Sequence, residues 1–255
     1  MEVVYDWDRD HCPKFPAMPP PRCVPDIQPG CDGDNVDSMP RAWADLVRGG
    51  YRMLGNVATD QGPSRPQVGP RLDALRHSCS PYTTVVPPDP EMSHMGGDVW
   101  VEAPFVLNRT HVYALTHVDQ YNATIHWAHN ASLPLHYTGT NKYSAVTLYA
   151  SSDGGGSFRP ARPEPGHLVA ASPYDNRDGH LGRGLGFGMP SSVFRDPKDG
   201  MFYTMLLTNW GRDVLAQKGG QCLLRTSDIT DPGSWRAYGG ASCSTWSDRP
   251  FSDFS

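Results

Sequence analysis

Residues 142–158 constrain this chain more than any other stretch. Tyr143, Ala145, Thr147 and Tyr149 alternate with Ser144, Val146, Leu148 and Ala150, the period of a strand, and run straight into Ser151-Ser-Asp153-Gly-Gly155-Gly-Ser157-Phe158. The residue types of that octet suit a strand-to-strand turn. Its glycines admit positive φ, Asp153 can accept hydrogen bonds from the turn's own amides, and Phe158 can anchor the outgoing strand. A chain with such a turn is committed locally to antiparallel β structure.

The composition extends that reading to the whole chain. With 25 Pro, 26 Gly and 38% hydrophobic residues among 255, long helices are disfavoured and turns abundant. The net charge of −5 includes no Lys/Arg block interleaved with aromatics, so nothing supplies the electrostatic footprint of a nucleic-acid binder. There is no apolar run near the length of a membrane span, and the first residues lack the charged and apolar regions of a signal peptide. The cysteines are Cys12, Cys23, Cys31, Cys79, Cys222 and Cys243, without zinc-type C-x-x-C spacing. Sequons begin at Asn108, Asn122 and Asn130. Together they point to a secreted, oxidising environment, with Cys23–Cys31 and Cys222–Cys243 as pairings to consider.

Residues 1–36 hold a dense run of prolines and read as an irregular arm; residues 37–255 read as one β domain built from a repeating plan. The first copy has two short apolar segments flanking Arg48-Gly-Gly50. The second has a strand at 99–107, a turn at Asn108-Arg-Thr110 and a strand at 111–117. The third has a strand at 189–194, a turn at 196–200 and a strand at 201–208. The ends also correspond, since 148–158 aligns with 223–235 and each carries a Ser-Asp turn followed by an aromatic. Segments 118–141 and 160–188 read as long loops of the functional kind.

The octet fits S-x-D-x-G-x-[ST]-[WF] and resembles the sialidase-type Asp box, a marker of β-propeller blades. With Trp100-Val-Glu-Ala-Pro104 and Val193-Phe-Arg-Asp-Pro197, the chain is similar to the five-bladed propellers of arabinanase-, xylosidase- and invertase-type glycosidases. Arg41-Ala, His117-x-Asp119-x-Tyr121 and Met189-Pro-Ser-Ser192 further resemble segments of uncharacterised secreted propellers related to them. The resemblance implies an all-β propeller of four-stranded blades. About three blades fit between residues 37 and 238, against typically about four to eight in a closed propeller, so the chain reads as part of a longer one or as a small irregular one. In these glycosidases carboxylates from successive inner strands meet in a central pocket, one as acid and one as base or nucleophile.

Carried onto this sequence, the resemblance puts Asp37, Glu102 and Asp196 at the inner-strand carboxylate positions; Asp37, Glu102 and Asp119 are taken as the candidate catalytic carboxylates, Glu102 as acid, Asp37 as base or nucleophile, and Asp119 with His117 tuning the pair. Arg41, His117, Tyr121 and Ser192 are candidate substrate-binding residues. His117, Asp119 and Tyr121 share one face if their segment is a strand, and Asp119 can then orient His117. Asp196 sits in Arg-Asp-Pro but runs into Lys198-Asp-Gly200, an ordinary hairpin sequence. His126, His129 and His136 read as a solvated loop rather than a metal site, and Gly182 to Gly188 lacks the strand-then-helix context of a phosphate loop. No metal or cofactor is expected. The ligand expected is a carbohydrate, either hydrolysed at a glycosidic bond or bound by a propeller without catalysis; an incomplete chain with no independent activity is the third alternative.

Overall fold

The computed structural model describes residues 39–54, 66–77, 84–85, 98–121, 142–171, 185–209, 220–239 and 245–246. These residues are predominantly β, with two short 3-10 turns at Leu72–Ala74 and Pro232–Ser234 and no α-helix among them. The first unit is a four-stranded antiparallel meander of β1 (Arg41–Ala44), β2 (Tyr51–Leu54), β3 (Pro66–Gly69) and β4 (Arg76–His77), in that order. Its β1–β2 hairpin closes where the two apolar segments around Arg48-Gly-Gly50 predict it, with Gly49 at φ 83° and Gly50 at φ 86°. Asp45 caps the turn by accepting from the amides of Val47 and Arg48.

After β5 (Thr84–Val85), the second unit runs through β6 (Asp98–Val106), β7 (Val112–Tyr121), β8 (Lys142–Ser151) and β9 (Ser157–Pro160), each antiparallel to the last. The third unit is β12 (Phe194–Arg195), β13 (Phe202–Asn209), β14 (Gly220–Thr226) and β15 (Arg236–Gly239), with β16 (Thr245–Trp246) paired beyond it. The strand expected over 189–194 shrinks to two residues, because Met189 sits at φ 49° and Ser191 is instead tied to β13 through Thr204 and Met205. The segments expected as long loops are partly strand. β7 extends through residue 121, and the stretch 160–188 contains β10 (Leu168–Ala170) and β11 (Leu185–Gly188).

Those two strands make the sheet depart from a set of separate blades. The edge of β8 not covered by β7 is tiled by β9, β10 and β11 in turn. Strand β11 runs parallel to β8 and antiparallel to β13, so it links the second and third units into one hydrogen-bonded path. The described strands form no closed barrel or propeller.

Alternation along the strands divides the apolar residues between two cores. Trp43 and Leu54 of the first unit pack with Val99, Val101, Val112, Ala114, Tyr149 and Phe158 of the second. From the opposite face of the second unit, Ala103, Leu115, Val146 and Leu148 pack with Phe202, Leu206, Leu224 and Trp235 of the third. The three units are therefore stacked face to face, each core filled from two neighbours.

The glycine-rich octet forms the turn its residue types demand. Asp153 Oδ1 accepts from Ser151 Oγ at 2.7 Å, from Gly156 N at 2.8 Å and from Ser157 N at 2.9 Å. Phe158 is fully buried. The second Ser-Asp turn is built alike: Thr226 Oγ1 accepts from Asp228 N at 2.9 Å, Asp228 Oδ1 accepts from Thr230 N at 2.9 Å, and Trp235 is fully buried. The first turn also docks on the neighbouring unit, since Trp43 Nε1 donates to Gly154 O at 3.3 Å and Arg48 Nη1 to Asp153 O at 3.2 Å.

The proline-rich arm, Cys12, Cys23, Cys31, Cys79 and Cys243 lie outside the described residues, as do the sequons at Asn122 and Asn130 and the loop histidines 126, 129 and 136. Among the described residues Cys222 is a free thiol, and partial burial pushes its pKa up; the pairing considered with Cys243 lies outside the described residues.

Candidate functional site

An irregularity in β6 creates the central polar group. Val101 pairs with Thr116 and Ala103 with Leu115, which leaves Glu102 as an extra residue with no partner position on β7. Such a bulge shifts the side-chain phase. Before it, Val99 and Val101 face the first core; after it, Ala103 faces the second. Glu102 is 1% exposed, and Arg41 Nη2 lies 3.6 Å from its Oε2. A buried carboxylate is costly unless paired, and the guanidinium that meets it comes from β1 of the preceding unit. The same Nη2 donates to Pro190 O at 3.2 Å, on the segment leading into the third unit. One arginine thus touches all three units.

Next to it, β7 presents His117 and Asp119 on one face, as the strand period requires. His117 Nε2 lies 2.9 Å from Asp119 Oδ1, at ion-pair distance but off the direction of a hydrogen bond. Ser144, directly opposite Asp119 on β8, donates its Oγ to that same Oδ1 at 2.6 Å. Trp100, opposite His117 on β6, stacks on the imidazole with ring centroids 5.2 Å apart and planes 26° apart. Asp119 and His117 are both buried.

Two glycines let the third wall close on this group. A Cβ on Gly188 would stand 2.9 Å from His117 Nε2, and one on Gly186 would stand 1.8 Å from Ser144 O. Gly186, at φ 113°, is the residue through which β11 pairs with Ser144. Any side chain there would break the close approach of β11 to β8.

The arrangement limits the chemistry. Ser144 is hydrogen-bonded to the carboxylate and not to the imidazole, so it is not an activated nucleophile of the Ser–His type, which needs its hydroxyl on the histidine. The carboxylates of Glu102 and Asp119, the guanidinium of Arg41 and the imidazole of His117 can instead accept from and donate to hydroxyl groups. Among the described residues no group of three or more His, Cys, Asp or Glu side chains could hold a metal ion.

Of the residues chosen from sequence, Arg41 of β1 meets Glu102 of β6, His117 and Asp119 of β7 lie at ion-pair distance from each other, and the 188–190 segment touches both pairs, through Pro190 O on Arg41 and Gly188 against His117. Tyr121 continues the face of Asp119 along the backbone of β7, and its side chain lies outside the described residues, as does Asp37. Ser192 is exposed, and among the described residues its hydroxyl is not joined to the group. Asp196 is a hairpin residue, accepting from the amides of Gly200 and Lys198. Sequence reasoning missed Trp100, Ser144 and Gly188 as parts of the site. Ser144 could have been found by pairing β7 with β8 around the buried Asp119; nothing local marks Gly188.

No protein-family model matches this chain, and no curated protein and no solved structure matches it either. Among the described residues no helix is long and apolar enough to cross a membrane.

Proposed function

We propose that the chain is a glycosidase-like β-propeller, or part of one, and that Arg41, Glu102, His117 and Asp119 form its carbohydrate site. The observation that carries this reading is the bulge at Glu102, which spends a ladder position to put a carboxylate against an arginine from the neighbouring unit. Bulges recur where a strand must re-aim a functional side chain. Face-to-face stacking of three meanders and the paired Ser-Asp turns support the propeller. Hydrolysis would use two carboxylates on opposite sides of the glycosidic bond. Glu102 and Asp119 are the candidates from the described residues, with Asp37 as the third from sequence.

A reading without catalysis has its own support. Asp119 Oδ1 is already engaged by Ser144 and His117, and Glu102 is held by Arg41, as in a site that orders hydroxyls without transferring a proton. Glu102→Gln separates the two. For a glycosidase, the variant binds oligosaccharide within a few-fold of the wild type and loses on the order of a hundredfold or more of reducing-end release, the scale of a general acid–base group. For a binding propeller, the wild type releases no reducing ends from any oligosaccharide it binds.

The secretory reading belongs to the same proposal. Asn108 stands on the exposed β6–β7 turn, where its Oδ1 accepts from Thr110 N at 3.0 Å and His111 N at 2.9 Å. Expression through a eukaryotic secretory route is expected to give a product that loses mass on amidase deglycosylation, with one step fewer in Asn108→Gln. An unmodified Asn108 in secreted protein would contradict it.

A further inference from the structure

Gly188-Met189-Pro190 touches both polar pairs, and its backbone is strained. Met189, at φ 49°, is the one non-glycine residue with positive φ among the described residues. Few side chains adopt that conformation, because Cβ then crowds the following carbonyl. The strain has a cause in the register. Gly188 pairs with Leu207 of β13, and Ser191 N next donates to Met205 O at 2.8 Å. Met189 and Pro190 therefore stand against Leu206 alone, the two-for-one count of a β-bulge. The far end is pinned to β13 as well, since Thr204 Oγ1 donates to Ser191 O at 3.0 Å and Met205 N to Ser191 Oγ at 2.9 Å.

Gly188 and Pro190 are buried while Met189 between them is 47% exposed. The buried two lie on the polar group. Pro190 O accepts from Arg41 Nη2 at 3.2 Å, and Gly188 comes so near His117 that a Cβ would stand 2.9 Å from Nε2. Of the same two side chains, Arg41 Nε and His117 Nε2 are buried and make no hydrogen bond. Buried polar atoms in that state are uncommon and call for an explanation. Here a backbone held in a costly conformation occupies one donor of the group while two further nitrogens go unused. Strain of this kind collects where a segment must switch, because it lowers the cost of leaving the strained state.

We propose that residues 188–190 are an autoinhibitory strap: closed, Pro190 O holds Arg41 and Gly188 covers His117; open, both side chains are free to take a ligand oxygen in place of the strap. It rests on the carbohydrate reading only for what enters, a sugar hydroxyl or carboxylate. The balance between the two states is set at residue 189, because only the closed state requires positive φ there. Asparagine enters that region more readily than methionine, and β-branched valine less readily. Met189→Asn therefore favours the closed strap and Met189→Val the open one.

The test reads access to Arg41 in the whole chain with phenylglyoxal, a reagent for guanidinium groups, the modified positions being mapped by mass spectrometry. Arg52, 1% exposed and held by Asp45, reports unfolding of the molecule as a whole. In the wild type Arg41 is expected to react faster than Arg52. Met189→Asn is expected to slow the reaction at Arg41 and Met189→Val to speed it, each about fivefold, the low end of what a non-glycine residue costs at positive φ. One rate at Arg41 in all three proteins overturns the proposal, and so does a rate at Arg41 that never exceeds that at Arg52. The rates are measured without ligand, so they stand or fall separately from the carbohydrate reading, which oligosaccharide binding decides.

Discussion

At the scale of single residues, the chain relies on carboxylates that accept several hydrogen bonds at once. Burial works to raise the pKa of Asp153, but bonds from Ser151, Ser157 and Gly156 outweigh it and hold the carboxyl below its ordinary value of 3.8. Asp45 is the same case: burial opposes ionisation, while Arg52, at 2.7 Å, and the Arg48 amide hold its pKa down. A group with a depressed folded-state pKa contributes stability that is present above the unfolded value and is lost as pH falls through the lower folded value. Stability is therefore expected to fall on acidification below the ordinary aspartate range. Asp153→Asn should be less stable than the wild type at neutral pH and lose less of its stability on acidification, as read by denaturant midpoints at each pH. An identical acid slope in the variant would contradict the assignment. These residues were legible from sequence to different degrees. Asp153 was, because its partners lie within a few positions along the chain. The Asp45–Arg52 pair was not, because the hairpin must form before the two meet.

At the scale of elements, what could be read in advance was local and what could not was long-range. The β1–β2 hairpin, the β6–β7 hairpin and the octet turn are each specified by residues within about a dozen positions, by alternation and by glycine. Strand β11 was not foreseen, since its residues, Leu-Gly-Phe-Gly, alternate without a polar face and become a strand only by fitting between β8 and β13. The bulge at Glu102 was equally hidden, because it depends on how β6 pairs with β7 rather than on the composition of β6. The octet offers a direct comparison of backbone and packing. Gly49 and Gly155 both have positive φ, at 83° and 90°, but a Cβ on Gly49 meets nothing within 4 Å while one on Gly155 would stand 2.5 Å from Trp43 Nε1. Gly49→Ala is expected to cost about 1 kcal/mol, the backbone term alone. Gly155→Ala adds overpacking of about 1–3 kcal/mol. Thermal unfolding should therefore show the second variant several degrees below the first, at about 2–4 °C per kcal/mol for a chain of this size. Equal midpoints would mean that the octet does not pack on Trp43.

At the scale of the whole molecule, stacking explains how a buried polar group comes to be shared between units. Each unit fills a core with its neighbour, and Glu102, His117 and Asp119 are buried within β6 and β7 beside those core residues, with Arg41 set against Glu102 and the Gly188–Pro190 segment reaching both Arg41 and His117. Arg41, Glu102, His117 and Asp119 are in that group, the last two because strand alternation puts them on one face of β7. The cost of the arrangement is buried charge, and removing one member of a buried pair typically destabilises by about 3–5 kcal/mol when the partner charge is left uncompensated. A site kept for binding must return that cost in ligand affinity. The deciding measurement is calorimetric titration of the wild type, Glu102→Gln and Asp119→Asn with a panel of neutral and acidic oligosaccharides, each variant first checked for wild-type circular dichroism. Binding of at least one oligosaccharide by the wild type, changed in affinity or abolished in turnover by one of the two substitutions, is the predicted result. A wild type that binds no member of the panel, with both substitutions lowering only the melting temperature, would contradict the account and make the group a structural clasp between units.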